Sequence, residues 1–189
     1  MNQASEALQK IRSICRGWAP GTAGDQIYQR TEGVMMELDV AMRRLEKLEG
    51  AMRYIAAPTY GTELHDTDAQ MAKIYWGHIR AFQYRAGQLI GKTSLRGIQG
   101  ALEWIQNMIG DGRVEGSTEP ALLALVADAL KGLEAFQSRL WKMEGALMRI
   151  AEPVRENHDL PDDQLAELYW NILVNRQSIA RSALRKGES

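Results

Sequence analysis

The chain has 189 residues, of which 25% are charged and 45% belong to the apolar set AVILMFWYC, a composition that excludes an intrinsically disordered chain. A formal net charge of −1 argues against a protein that coats nucleic acid or a membrane surface, because such proteins carry a basic excess. No apolar run reaches the roughly 20 residues that cross a bilayer, Cys15 is the single cysteine, and no basic-then-apolar leader opens the sequence, so the expectation is a cytoplasmic chain without disulfides.

The first element is a short helix over about residues 4–17, with Leu8, Ile11, Ile14 and Cys15 at helical spacing. The glycine-rich stretch Gly17-Trp18-Ala19-Pro20-Gly21 follows as a loop. A long helix comes next, its apolar seam running Ile27, Thr31, Val34, Leu38, Ala41, Leu45, Leu48, Met52, Ile55 in alternating steps of four and three. Pro58 ends it, since a proline ring clashes with the preceding turn and offers no N–H. A third helix begins after Asp66 or Thr67, either of which can cap it, and carries the seam Ala72, Trp76, Ile79, Gln83, Ala86, Ile90. Gly91 is expected to cap its end.

The same three elements then return. Residues 44–58 read RLEKLEGAMRYIAAP and residues 139–153 read RLWKMEGALMRIAEP, an offset of 95. Glu63, His65, Asp66, Tyr75, Trp76 and Gln83 find identical counterparts in Glu156, His158, Asp159, Tyr169, Trp170 and Gln177. The second short helix covers about 95–109, with Leu102, Ile105, Met108 and Ile109 inward. A second glycine-rich loop leads to Ser117 or Thr118 as cap and Pro120 in the first turn. The second long seam is Leu122, Val126, Ala129, Leu133, Phe136, Leu140, Met143, Leu147, Ile150, closed by Pro153. The last helix follows Asp159 and Pro161 on the seam Ala166, Trp170, Leu173, Gln177, Ala180, Leu184.

No segment shows the period-two pattern of a strand. The expected fold is all-α: an internal duplication of a three-helix unit, each a short helix plus a long antiparallel α-hairpin, six helices in total. Residues 1–92 form the first repeat and 93–189 the second, packed as one compact body about a pseudo-two-fold axis. Gln83 and Gln177, polar on apolar seams, are placed to bond each other across that axis. Gly50 and Gly145, inside the long helices, suggest a close helix approach or a kink.

Two features carry candidate chemistry. The recurring Glu-x-His-Asp segments, Glu63, His65, Asp66 and Glu156, His158, Asp159, hold the residue types of acid–base and metal sites, but they also precede helices, where acids complement the macrodipole. One His and two acids are too few for a zinc site within one half, so no metal, cofactor or catalytic residue is assigned. The pairs Tyr75-Trp76 and Tyr169-Trp170, with Arg80 and Arg176 nearby, read first as core aromatics. If the halves meet there they frame a cleft suited to a planar ligand or a partner's side chain.

Glu46-x-x-Glu49 followed by Glu63-x-x-Asp66 resembles the acidic motifs of all-α nucleoside-triphosphate pyrophosphohydrolases, in which paired acids hold Mg²⁺. The resemblance covers about 21 residues. Its second acidic pair falls in a loop or first turn rather than along a helix, and Trp141 stands where the second half would repeat Glu46.

The leading functional expectation is a non-catalytic helical module that grips another protein as adaptor or inhibitor, of the kind bacteria or their viruses use as accessory or anti-defence factors. It would act as a monomer or homodimer, with no membrane and no nucleic acid as partner. The alternatives are a small-ligand binder of the nucleotide class and the Mg²⁺-dependent pyrophosphohydrolase.

Overall fold

The computed structural model describes residues 3–58, 67–91, 95–114, 118–155 and 159–185. Those residues form six α-helices and no strand: α1 (Gln3–Cys15), α2 (Ala23–Ala56), α3 (Asp68–Leu89), α4 (Arg96–Met108), α5 (Glu119–Ala151) and α6 (Asp162–Leu184). A π-helical turn, Ile109–Arg113, extends α4 and closes on Gly112 at φ 69°, a conformation that glycine adopts without a Cβ penalty. None of the described helices is long and apolar enough to cross a membrane.

The helices form where the heptad pattern places them. All nine seam positions of α2 are buried, and so are all nine of α5. Thr31 is the one polar residue among them, and its hydroxyl donates to the Ile27 carbonyl at 2.7 Å, which satisfies it inside the core. Both long helices stop two residues before Pro58 and Pro153. Thr67 caps α3 in a capping box: its hydroxyl accepts from the Gln70 N–H while the Gln70 side chain accepts from the Thr67 N–H. Pro161 stands at the head of α6 with no side-chain cap, and Asp162 and Asp163 supply negative charge to its first turn. The C-terminal stop of α3 falls at Ile90, whose extended backbone breaks the helix, and Gly91 does not take the left-handed conformation of a glycine cap.

The chain divides into two compact units that do not coincide with the sequence repeats. One comprises Met1–Arg44 and Thr93–Leu140, the other Leu45–Lys92 and Trp141–Ser189. Each therefore draws on both sequence halves.

In the first unit α1 and α4 turn their apolar faces inward: Leu8, Ile11 and Cys15 from α1, Leu102, Ile105 and Met108 from α4, with Ile109 just beyond. Arg12 of α1 pairs with Glu32 of α2. α1 comes close to α5 at Gly132, where a Cβ would lie 2.5 Å from the backbone nitrogen of Ala4. In the α1–α2 loop the Trp18 ring occupies the space of a side chain at Gly24, so that glycine is required for the indole to lie down.

In the second unit α3 packs along α6. Phe82 of α3 is buried and meets Tyr54 of α2 edge-on at 5.9 Å between ring centroids. Gly50 and Gly145 behave otherwise than their recurrence suggests. Both are exposed, a Cβ on either would meet nothing within 4 Å, and the helix runs unbroken through each.

Candidate functional site

The sequence-derived candidates fall into three groups. Glu63, His65, Asp66, Glu156 and His158 lie outside the described residues, and Asp159 is an exposed residue ahead of α6. Arg80 is exposed on α3. The remaining residues lie on α3 and α6: the four rings Tyr75, Trp76, Tyr169 and Trp170 come together, while Arg176 of α6 makes its contacts elsewhere.

The four aromatic rings pair crosswise. Tyr75 lies against Trp170 and Trp76 against Tyr169, each pair with centroids 5.1 Å apart and the rings tilted. Each Tyr of one repeat thus meets the Trp of the other, and the rings fill each other's apolar surface. Burial is distributed differently from the seam reading: Tyr169 is 3% exposed, whereas Trp170 is 38% exposed and Trp76 half-buried.

Arg176 lies in the interior, at 4% exposure. Its guanidinium donates to the Ile79 carbonyl at 3.2 Å and to the Glu152 carbonyl at 2.7 Å. Burial pulls its pKa below the ordinary arginine value, with the nearby charge of Glu152 acting in the opposite sense. Arg176 stands at the register position of Phe82, and Phe82 is 2% exposed. In that sequence register a buried ring therefore stands opposite a buried, hydrogen-bonded cation.

The two seam glutamines do not meet. Gln83 donates to the Glu152 carbonyl at 2.7 Å, and Gln177 donates to the Ala57 carbonyl at 2.8 Å. Ala57 and Glu152 occupy the same register position, one residue ahead of Pro58 and Pro153. Arg181 adds a bond from Nε to the Ala56 carbonyl at 3.2 Å. A helix leaves its last carbonyls without partners and favours positive charge there. Side chains of α3 and α6 meet that need at the ends of α2 and α5, which is why polar residues recur on these seams.

Of the acidic residues singled out by motif, Glu46 is exposed and Glu49 is largely covered, accepting from Arg53 at 3.2 Å. No group of three or more His, Cys, Asp or Glu side chains arranged to hold a metal ion occurs among the described residues. Cys15 is buried, and desolvation pushes its thiol up to about 11.

Concavities lined by described residues of the second unit include a smaller and a larger one. The smaller, about 240 Å³, adjoins Arg176 and Pro153. The larger, about 630 Å³, is an open groove between the C-terminal part of α2 and that of α3. Sequence reading did not find it, because its lining consists of ordinary solvent-face residues that only the α2–α3 packing assembles. Across α5 and α2, large apolar side chains stand in solvent: Trp141 at 60% and Met148 at 42% exposure on α5, and Met36 and Val40 on α2.

The sequence matches no protein-family model, and comparison with curated proteins and with solved structures likewise yields no match.

Proposed function

We propose that the protein is a non-catalytic helical interaction module, an adaptor or inhibitor that grips another protein through a face of its long helices. The observation that carries this reading is the stripe on α5 formed by Trp141, Gly145 and Met148. Steps of four and three place the three residues on one face of the helix. Trp141 and Met148 are exposed, and the space above Gly145 is empty for at least 4 Å. A tryptophan and a flexible methionine flanking a bare patch of helix backbone give a partner side chain a slot with apolar walls, the composition typical of interface hot spots. The glycine costs helix stability of about 1 kcal/mol relative to alanine, and nothing around it among the described residues requires it.

The duplicated architecture belongs to the same proposal. Its supports are the sequence repeat, the crosswise Tyr–Trp pairs and the reciprocal glutamine bonds, all of which exchange corresponding residues of the two copies. A pseudo-two-fold axis relating α3 to α6 accounts for all of them together. The three-helix copies 1–92 and 93–189 are then units of descent, and a reducing cytoplasm suits the lone buried thiol.

The test is capture of a partner from lysate by the wild-type chain, repeated with Trp141→Lys. One stoichiometric protein retained by the wild type and lost from the variant is expected. Equal recovery by both, with the variant's thermal midpoint unchanged, removes the α5 face from the reading.

A further inference from the structure

The 630 Å³ groove of the second unit goes beyond the protein-interaction reading, because its chemistry suits a small molecule. Its walls are one face each of α2 and α3: Lys47 to Tyr54 on one side, Ala81 to Gln88 on the other. Each stretch advances about 10 Å along its axis, the length of one nucleotide and too short for a polynucleotide tract. The described lining contains two cations, Lys47 and Arg85, two phenols, Tyr54 and Tyr84, and no carboxylate.

The polar groups are pre-arranged. The Arg85 guanidinium sits over the Tyr54 ring at 4.5 Å, which fixes its plane and leaves its N–H edge for an anion. Gln88 donates to the Tyr84 phenol oxygen at 2.5 Å, so the phenol proton is turned outward as a donor. The Tyr84 ring is 70% exposed and offers its face to a stacked planar group. Gly50 lies in the lining between Lys47 and Tyr54, and the absence of a side chain there keeps the groove open.

The second repeat lacks this set. Arg149, Ser178 and Ile179 stand where the first has Tyr54, Tyr84 and Arg85, and Lys142, the counterpart of Lys47, donates to the Arg185 carbonyl at 3.2 Å at the end of α6. Packing of the hairpin therefore does not demand the aromatic–cation set, since the other copy forms the same helices without it.

We infer that this groove binds a phosphorylated planar ring of the nucleoside monophosphate class, with the phosphate on Arg85 and Lys47 and the base stacked on Tyr84. The experiment is calorimetric titration of the full chain with adenosine monophosphate, adenosine and inorganic phosphate, repeated on Tyr84→Ala and Arg85→Gln. Both side chains are exposed, and a thermal melt of each variant checks that it folds. The expected result is binding of adenosine monophosphate, at least about tenfold weaker binding of adenosine and of phosphate, and a loss of about tenfold or more in each variant. No heat with adenosine monophosphate at about 5 mM overturns the assignment. So does phosphate binding as tightly as the nucleotide, or nucleotide binding that survives in both folded variants.

Discussion

The Gln83 side-chain amide donates to the Glu152 carbonyl at 2.7 Å, and that oxygen also accepts from Arg176 at the same distance. At the corresponding end of α2 the Ala57 carbonyl accepts from Gln177 alone among the side-chain bonds described above, with Arg181 bonding the next carbonyl upstream. The two helix ends are tied in the same way but with unequal redundancy, and the inequality is measurable.

Replacing Gln177 with alanine removes a buried donor from a helix-terminal carbonyl and is expected to cost about 1–3 kcal/mol. Gln83→Ala is expected to cost less, about 1 kcal/mol or below, because Arg176 still satisfies the Glu152 oxygen. Urea unfolding of the two variants decides the matter; equal losses would show that the carbonyl bonds do not set these energies.

Arg176 holds two carbonyls with one planar group, a task that lysine cannot perform with a single nitrogen. Arg176→Lys is expected to destabilise by about 2–4 kcal/mol, since a single ammonium cannot reach both carbonyls and would be buried with part of its hydrogen-bonding capacity unmet. Arg176→Phe copies the residue found at the register position in the first repeat, and it should retain the packing while losing both bonds. Denaturation midpoints should order wild type above Phe and Phe above Lys.

The glycines separate cleanly by their surroundings. Gly50→Ala and Gly145→Ala add a methyl group into open space and are expected to stabilise by about 0.5–1 kcal/mol each through helix propensity. Gly132→Ala places its methyl 2.5 Å from the Ala4 backbone nitrogen and 3.0 Å from its Cα, so α1 must move away from α5, at about 1–3 kcal/mol. Thermal midpoints should rise for the first two and fall for the third.

Cys15 titrates at about 11 against an ordinary value of 9.0. The unfolded chain therefore loses this proton first as pH rises, and linkage makes the folded state progressively less stable between about pH 9 and pH 11. Below pH 9 both states keep the proton and the thiol has no influence. The measurement is stability against pH for wild type and Cys15→Ala: the difference between them should be flat to about pH 9 and then shrink. Thiol labelling at pH 8 should be slow in the folded chain and rapid in urea.

The four-and-three spacing of apolar residues carried most of the fold. It placed the seams of α2 and α5 at every position, because a helix that buries one narrow stripe obeys a heptad rule closely. The rule served α3 and α6 less well. It put Ile90 on the seam, where the helix has already ended, and passed over Phe82 and Tyr169, which are buried. Phe82 faces Tyr54 of α2 while its helix also packs along α6, and a helix with two neighbours buries a wider arc than a two-position stripe. Arg176 was read as a cleft residue because charge usually signals exposure, although its register partner is a phenylalanine. The groove was invisible for a different reason: Lys47, Tyr84 and Arg85 gain their meaning only from a neighbour helix.

Each compact unit draws one stretch from residues 1–92 and one from 93–189. A polypeptide of residues 1–92 on its own would therefore hold half of two cores and complete neither, and the same is true of 93–189. Severing the chain between them should yield fragments that are unfolded apart and regain helicity when mixed at equal concentration. If such complementation occurs, covalent continuity between residues 1–92 and 93–189 supplies proximity rather than structure.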